Sequence, residues 1–542
     1  EDGVTEYMPS VAAFPRNRER PILIGEEAQR ASGTAFIARS VKRCLGCHGM
    51  ACSAEPRRLT DWCNCRGAIR VPSGDMAPET IAFLIVEEAL KRALSTARFR
   101  WPELAKLEPL HIDVRLGCGA TFSYEQRCFL RDIATRLGFA DVAVRQILDE
   151  PIAAGISYAR IEGVKPGRVL IYDFGGGTFD TALVDVGDNS YTVLAADGVQ
   201  WLGGDDVDAM IEGHFLSGVG RDHGLSASDV KELLSLQEAQ ELQRRCTEAK
   251  ETLSDHPSYA DTLFSDLFGM VDLDLTRAQL ESLVTNSRCY GEQNLIDRSL
   301  QCVYSVCRVA QTFLLAQKGR LLDPDDIRAL GPREIMSEID SVALVGGLTR
   351  MPLIRNRIAE LFGEDKVVDQ KMLEPMSAVA LGASYGDSEH FSLLYPPYSV
   401  QLVLSKSRGG EDQVLCLHHA YDKLGFFDMW PSSTRPLHRG NPISVAAGYP
   451  FARLRFVDDG GILGEIEVSG AILDAGPYLC VDLAGRVQLS RDIVFGDELC
   501  CLPRRHHWQE EIVRLEALRH EEERARAYDN LRNRDRTVYT EN

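Results

Sequence analysis

The chain has 542 residues, with 60 Lys and Arg against 80 Asp and Glu, a formal net charge of −20, and 44% hydrophobic and 26% charged residues. That length exceeds a single compact core, so two to four domains are expected. The acidic balance argues against a nucleic-acid partner, which needs clustered Lys and Arg, and no apolar run reaches the roughly 18–20 residues of a membrane span, so no membrane partner is expected either.

In chain order, the first unusual segment is C-L-G-C-H-G-M-A-C followed by W-C-N-C, which puts Cys44, Cys47, His48, Cys52, Cys63 and Cys65 within 22 residues. C-x-x-C-H is formally a haem-attachment pattern, but no periplasmic signal accompanies it. Thiolate zinc ligation by Cys44, Cys47, Cys52, Cys63 and Cys65 fits tetrahedral chemistry better, and an insertion of reduced thiols fits best. The remaining cysteines are too sparse for a disulfide scaffold and suit a reducing cytoplasm. Pro78 and Glu79 mark a helix start, with Ile81, Leu84, Ile85 and Ala89 at helical spacing. Strands are expected over 169–172, 181–186 and 342–345, and Leu300, Val303, Cys307, Ala310 and Leu314 mark another helix. Alternation of strand and helix to about 386 predicts an α/β architecture. A linker is expected over 387–394. Short apolar runs over 400–404, 452–457, 464–468 and 479–483 then read as an antiparallel module, and 508–534 reads as one solvated helix.

The most informative stretch is I-Y-D-F-G-G-G-T-F-D, from Ile171 to Asp180. Three successive glycines weaken a plain strand, so they need a reason. One is a hairpin whose backbone N–H groups, at Gly175, Gly176 and Gly177, lie against phosphate oxygens with no Cβ in the way. Asp173 then holds a metal-bound or attacking water, and Thr178 offers a hydroxyl to phosphate. The other is a tight glycine-rich turn without ligand. Two further glycine turns, Q-W-L-G-G-D-D-V-D at Gln200 to Asp208 and A-L-V-G-G-L-T-R-M-P at Ala343 to Pro352, suit a nucleotide held in a cleft between lobes.

Together with D-E-P-I-A-A-G-I-S-Y from Asp149 to Tyr158, these segments resemble the nucleotide-binding domain of the DnaK-type seventy-kilodalton heat-shock chaperones. Weaker words support the match: P-S-V-A-A-F at Pro9, L-I-G-E-E-A at Leu23 and C-T-E-A-K-E-T-L-S at Cys246. The resemblance implies an actin-like, two-lobed ATPase domain with ribonuclease H-like cores over 1–386. After the linker it implies a small β-sandwich-like substrate domain over 395–506, with a short C-terminal helix and tail over 507–542. It implies ATP or ADP with Mg²⁺ as ligands. Lys42 then faces the γ-phosphate, Glu150 and Asp173 hold Mg²⁺ through water, and Thr178 touches phosphate. Gly203 and Gly204 approach from the second lobe, Lys250 and Ser254 contact ribose and base, and Gly346, Gly347 and Arg350 close over the base.

The sequence also departs from the family pattern. It begins inside the region that follows the family's first phosphate hairpin, so that hairpin is expected to be missing from it. Glu251 stands for an arginine that stacks on adenine, a cation–π contact of roughly 0.5–2 kcal/mol. Thr247, Leu348 and Met376 replace Glu, Ser and Asp, and Gly119 replaces a proline. At about 1 kcal/mol per lost polar contact, nucleotide affinity is expected to fall by one or more orders of magnitude. The expected function is an ATP-dependent chaperone taking unfolded or extended polypeptide, with co-chaperones. A non-hydrolysing nucleotide-binding scaffold is the alternative, and a small-molecule kinase on the same fold is disfavoured by the order of the motifs.

Overall fold

The computed structural model describes residues 7–16, 21–31, 34–45, 69–72, 74–106, 111–120, 122, 129–130, 133, 141–161, 166–187, 191–199, 201–288, 293–317, 336–385, 391–392, 399–407, 412–418, 437–443, 449–458, 461–468, 473, 478–482, 486–490 and 500–501. Of the cysteine cluster only Cys44 falls among them, and it is buried. Cys47, His48, Cys52, Cys63, Cys65 and the helix expected over 508–534 lie outside the described residues.

The N-terminal part is built from small sheets. Ala12–Pro15 pairs antiparallel with Leu23–Ile24 on one side and Ala35–Ala38 on the other. His111–Cys118 runs parallel to Asp141–Asp149, the arrangement that needs a crossover connection. The helix Pro78–Arg100 begins with proline in its first turn, where the missing N–H costs nothing. Ile81 of its expected stripe is fully buried, while Leu84, Ile85 and Ala89 are half-buried.

A five-stranded sheet forms the larger lobe, in the order Ser341–Val345, Gly167–Phe174, Phe179–Val186, Tyr191–Val199 and Phe391–Ser392. The two outer pairings are parallel and the two inner ones antiparallel. All three strands read from the sequence are present here. Helices Gly204–His223, Leu236–Asp255, Arg277–Asn286 and Leu295–Gln317 enclose the core, with Leu300, Val303, Cys307 and Ala310 buried. Part of the expected linker, Phe391–Ser392, joins this sheet as an edge strand beside Tyr191 and Thr192.

Near the junction of the two parts, Glu150–Ala159 packs against Ala378–Ser384 with backbone on backbone. A Cβ on Gly382 would sit 1.6 Å from the Ala153 carbonyl oxygen, so only glycine fits.

The C-terminal residues form two four-stranded antiparallel sheets. One runs Asp412–His418, Ser399–Ser405, Phe451–Asp458, Gly461–Val468, and the other Leu437–Pro442, Tyr478–Asp482, Arg486–Ser490, Cys500–Cys501. Inward residues of both, including Leu402, Leu404, Leu454, Phe456, Leu479 and Leu489, share one apolar core. Among the described residues, no helix is long and apolar enough to cross a membrane.

Candidate functional site

The glycine hairpin stands on an aromatic footing. Tyr172, Phe174 and Phe179 are fully buried and meet edge to face with ring centroids 4.8–5.9 Å apart. Such pairs add about 0.5–1.5 kcal/mol each beyond burial and fix the ends of both strands. The Tyr172 hydroxyl is 2.6 Å from Ser299 Oγ, so this buried polar group is satisfied. From this base the bend 175–177 projects, closed by the Gly175 N–H donating to the Thr178 carbonyl at 3.0 Å.

The three glycines differ in what surrounds them. A Cβ on Gly176 would meet nothing within 4 Å, whereas one on Gly177 would lie 3.1 Å from Arg43 Nε. The carbonyls of Gly175 and Gly176 accept from the N–H groups of Gly204 and Asp205 at 3.0 and 2.8 Å, and that of Gly177 accepts from Arg43 Nε at 2.7 Å. With every carbonyl of the bend engaged, the N–H groups of Gly176 and Gly177 meet no protein acceptor among the described residues. Successive backbone N–H groups left open at a bend are able to accept an anion.

Beside the bend is a cluster of buried charge. Asp173 and Asp180 are partners in the hairpin register and are 6% and 1% exposed. Lys42 donates to both oxygens of Glu150, at 2.6 and 2.7 Å. Burial, reinforced by Glu150 and Asp180, holds the Asp173 carboxyl well above the usual range, against the pull of Lys42. Burial and Glu150 push Asp180 up to about 7, opposed by Lys42, by the Ala120 N–H and by the Thr178 hydroxyl. The Ala120 bond, 2.6 Å long, reaches Asp180 from just beyond the strand His111–Cys118. Burial alone would lower the Lys42 ammonium, but Glu150, Asp180 and Asp173 outweigh it and raise it.

More carboxylate is concentrated here than one lysine neutralises, and hard oxygen donors of this kind fit Mg²⁺. Among the described residues no three acids converge closely enough to chelate an ion directly. Magnesium commonly keeps several of its waters, so Asp173, Asp180 and Glu150 would hold it through them.

The second glycine pair closes over the first. A Cβ on Gly203 would lie 2.6 Å from the Gly176 carbonyl oxygen, so glycine is required by close backbone approach. Lys250 donates to the Gly204 carbonyl at 3.1 Å and pairs with Asp208 at 2.8 Å. The third turn also abuts the acids: Gly346 has φ 81°, and a Cβ there would sit 2.6 Å from Asp173 Oδ1. Its N–H donates to the Pro375 carbonyl at 3.1 Å. Met376 follows, with its sulfur 3.2 Å from where a Gly347 Cβ would be. Arg350 is exposed at this end, as is Glu251. The Ser254 hydroxyl turns back to the Lys250 carbonyl at 3.2 Å. Of the expected residues, Lys42 meets Glu150, Gly346 abuts Asp173, the 175–177 bend meets Gly203 and Gly204, and Lys250 bonds Gly204, whereas Ser254 bonds within its own helix and Arg350 is exposed.

Sequence reasoning missed Asp180, Arg43 and Asp206. The signal for Asp180 was present, because a short hairpin places the first and last acids of D-F-G-G-G-T-F-D opposite each other. Arg43 and Asp206 are joined only by tertiary folding, 163 residues apart, and no local pattern announces them.

An acid-lined glycine bend at the end of a mixed sheet, beside a lysine and two further glycine turns, defines an α/β protein whose glycine turns converge on a buried acidic cluster. More particularly, the chain belongs to the Hsp70 family, whose model, described as Hsp70 protein, matches residues 102–311 and 332–386. The chaperone protein DnaK of Thermosipho melanesiensis is 28% identical over 380 residues, covering 69% of this chain and 52% of that protein. DnaK of Thermosipho africanus matches equally, and DnaK of Stenotrophomonas maltophilia is 28% identical over 404 residues, covering 69% of this chain and 53% of its own. The chain spans about half the length of the curated relatives it matches.

Proposed function

We propose that the chain is an ATP-binding chaperone of the Hsp70 type. In this reading the domain over 1–386 takes the family's actin-like, two-lobed form and holds ATP or ADP between its glycine turns. The two antiparallel sheets over 395–506 form the β-sandwich that captures extended polypeptide. The observation that carries the reading is the Gly176 face: open, flanked by unpaired N–H groups, and set against Asp173, Asp180, Glu150 and Lys42. The bend cradles phosphate by its N–H groups. Lys42, tethered by Glu150, presents one ammonium to the terminal phosphoryl group, where developing charge is best stabilised. Asp173 accepts a proton or hydrogen bond from the attacking water, and Thr178 holds Asp180 in register. Mg²⁺, when bound, supplies charge neutralisation across the phosphate oxygens. The cytoplasm is the compartment that suits the buried thiols.

Entry of Phe391–Ser392 into the sheet edge supports communication with the peptide module, because a segment leading to it is bonded to the lobe that carries the phosphate hairpin. One observation favours the second reading, a scaffold that binds nucleotide without turnover. Met376 and Glu251 line the base end where polar and cationic contacts are expected, which weakens grip on the base without touching the phosphate cluster. Calorimetry with ADP and ATP, with Mg²⁺ and then with EDTA, tests the site itself. Single-turnover hydrolysis with and without an unfolded peptide separates the readings: stimulation by peptide supports the chaperone, and binding without hydrolysis supports the scaffold. No heat for either nucleotide at millimolar concentration rejects both.

A further inference from the structure

Arg43 follows Lys42 on the same short 3₁₀ turn, Val41–Cys44, but reaches different partners. The turn is entered through Ser40 in left-handed conformation, φ 54°, a costly geometry for a non-glycine residue that surrounding structure must enforce. The Arg43 side chain is 4% exposed. Its Nε donates to the Gly177 carbonyl at 2.7 Å and its Nη2 to Asp206 Oδ2 at 2.9 Å. The Asp205 carboxylate lies 3.4 Å from Nε. The Arg43 carbonyl in turn accepts the Trp201 indole N–H at 2.9 Å. Asp206 also takes the Gly203 N–H at 2.8 Å, which ties the second glycine pair into the same contact.

A buried guanidinium is expensive to desolvate, and it persists only where its donors are matched. The acceptors of Nε and Nη2 are a main-chain carbonyl and a carboxylate of the protein, neither of them a group a nucleotide would supply. The contact therefore serves the protein rather than the ligand. It joins the turn that carries Lys42 to the bend that carries the phosphate-facing N–H groups and to the head of the helix Gly204–His223. Two acceptors lying in different directions need the planar fork of arginine, which a lysine ammonium does not reproduce.

We propose that Arg43 is a positioning residue: it registers Lys42 against the 175–177 bend, and parting of Arg43 from Asp206 governs how fast bound nucleotide leaves. This rests on the nucleotide reading of the bend. The test uses the 542-residue chain and its Arg43→Lys and Asp206→Asn variants, loaded with ADP carrying an N-methylanthraniloyl group and chased with unlabelled ADP. Dissociation is expected to be about tenfold faster or more in both variants, with association rate constants within about twofold of wild type. Hydrogen exchange of the ligand-free proteins is read in parallel, with faster exchange expected at 203–205 in both variants and unchanged exchange in Leu295–Gln317. Unaltered dissociation in folded variants overturns the proposal. Should Arg43→Lys fail to fold, Asp206→Asn, nearly the same in shape, still decides. A wild-type chain that binds no labelled ADP defeats the nucleotide reading instead, and the 203–205 amides then judge the clamp alone: unchanged exchange there overturns it.

Discussion

Asp173 and Asp180 stand opposite each other in the register of one hairpin, both buried, and both with carboxyl groups held above the ordinary range. Like charges so placed oppose folding. Lys42 offsets part of that repulsion, and under the proposed nucleotide reading a metal-nucleotide complex would offset more.

The pH consequence follows for Asp180, whose carboxyl moves from an ordinary 3.8 up to about 7. A raised acid is stabilising only while protonated, so its contribution is complete below about pH 4 and is lost as pH climbs through about 7. At about 1.4 kcal/mol per unit, the loss is on the order of a few kcal/mol. Asp180→Asn is therefore expected to raise the melting temperature of the ligand-free protein, and the gain over wild type should grow from about pH 5 to about pH 8. A gain that is flat across that range contradicts the assignment. Loss of magnesium-dependent nucleotide binding in the same variant would mark the stability that function gives up here.

Lys42 and Glu150, bonded through both carboxylate oxygens, call for a double-mutant cycle. Removing the ammonium leaves three acids facing one another, so Lys42→Met should cost more than a surface pair. Because the lysine side chain is 38% exposed, we expect about 1–2 kcal/mol rather than the 3–5 of a fully buried pair. Glu150→Gln in the Lys42→Met background should cost nothing further or restore stability, measured by urea midpoints at constant slope. Additive losses would show that the two residues act independently.

How much of this was legible beforehand depends on the range of the interaction that determines each feature. The strands Gly167–Phe174, Phe179–Val186 and Ser341–Val345 and the helix from Pro78 were readable because apolar periodicity and a proline at a helix start are local signals. The glycine triplet was readable as the bend of a hairpin, but only part of its reason was. A side chain at Gly177 would also press on the stem of Arg43, which arrives from 134 residues away. The stripe Ile81, Leu84, Ile85, Ala89 predicted one buried face, yet the helix Pro78–Arg100 packs against two clusters and leaves most of that stripe half-buried. The need for glycine at Gly382 was invisible, because it depends on a helix that crosses it from the other end of the domain.

That crossing gives a sharp test. A Cβ at Gly382 would overlap the Ala153 carbonyl at 1.6 Å, and backbone on both sides leaves no flexible side chain to move aside. Gly382→Ala must push the helices Glu150–Ala159 and Ala378–Ser384 apart, carrying Glu150 away from Lys42. Overpacking of this kind costs typically 1–3 kcal/mol or more. A lowered melting temperature together with weaker nucleotide binding is expected. A variant as stable as wild type would show that the two helices do not meet as described.

The glycines at and around the bend differ in the room left for a side chain. At Gly176 an added methyl meets no protein atom within 4 Å, at Gly177 it presses on Arg43, and at Gly203 it collides with the Gly176 backbone at 2.6 Å. If the open face of Gly176 is where phosphate lies, Gly176→Ala should leave the melting temperature of the free protein within about 1 °C, since exposed substitutions stay within about 0.5 kcal/mol. The same change should weaken ADP binding tenfold or more, because the methyl stands between the N–H groups and the phosphate oxygens. Gly203→Ala should instead destabilise the free protein by about 1–3 kcal/mol, as backbone must shift on both sides. Calorimetric titration with ADP and thermal melts on the two variants give four numbers whose pattern is diagnostic. Unchanged ADP affinity in Gly176→Ala would place the phosphates elsewhere and leave the bend a structural turn.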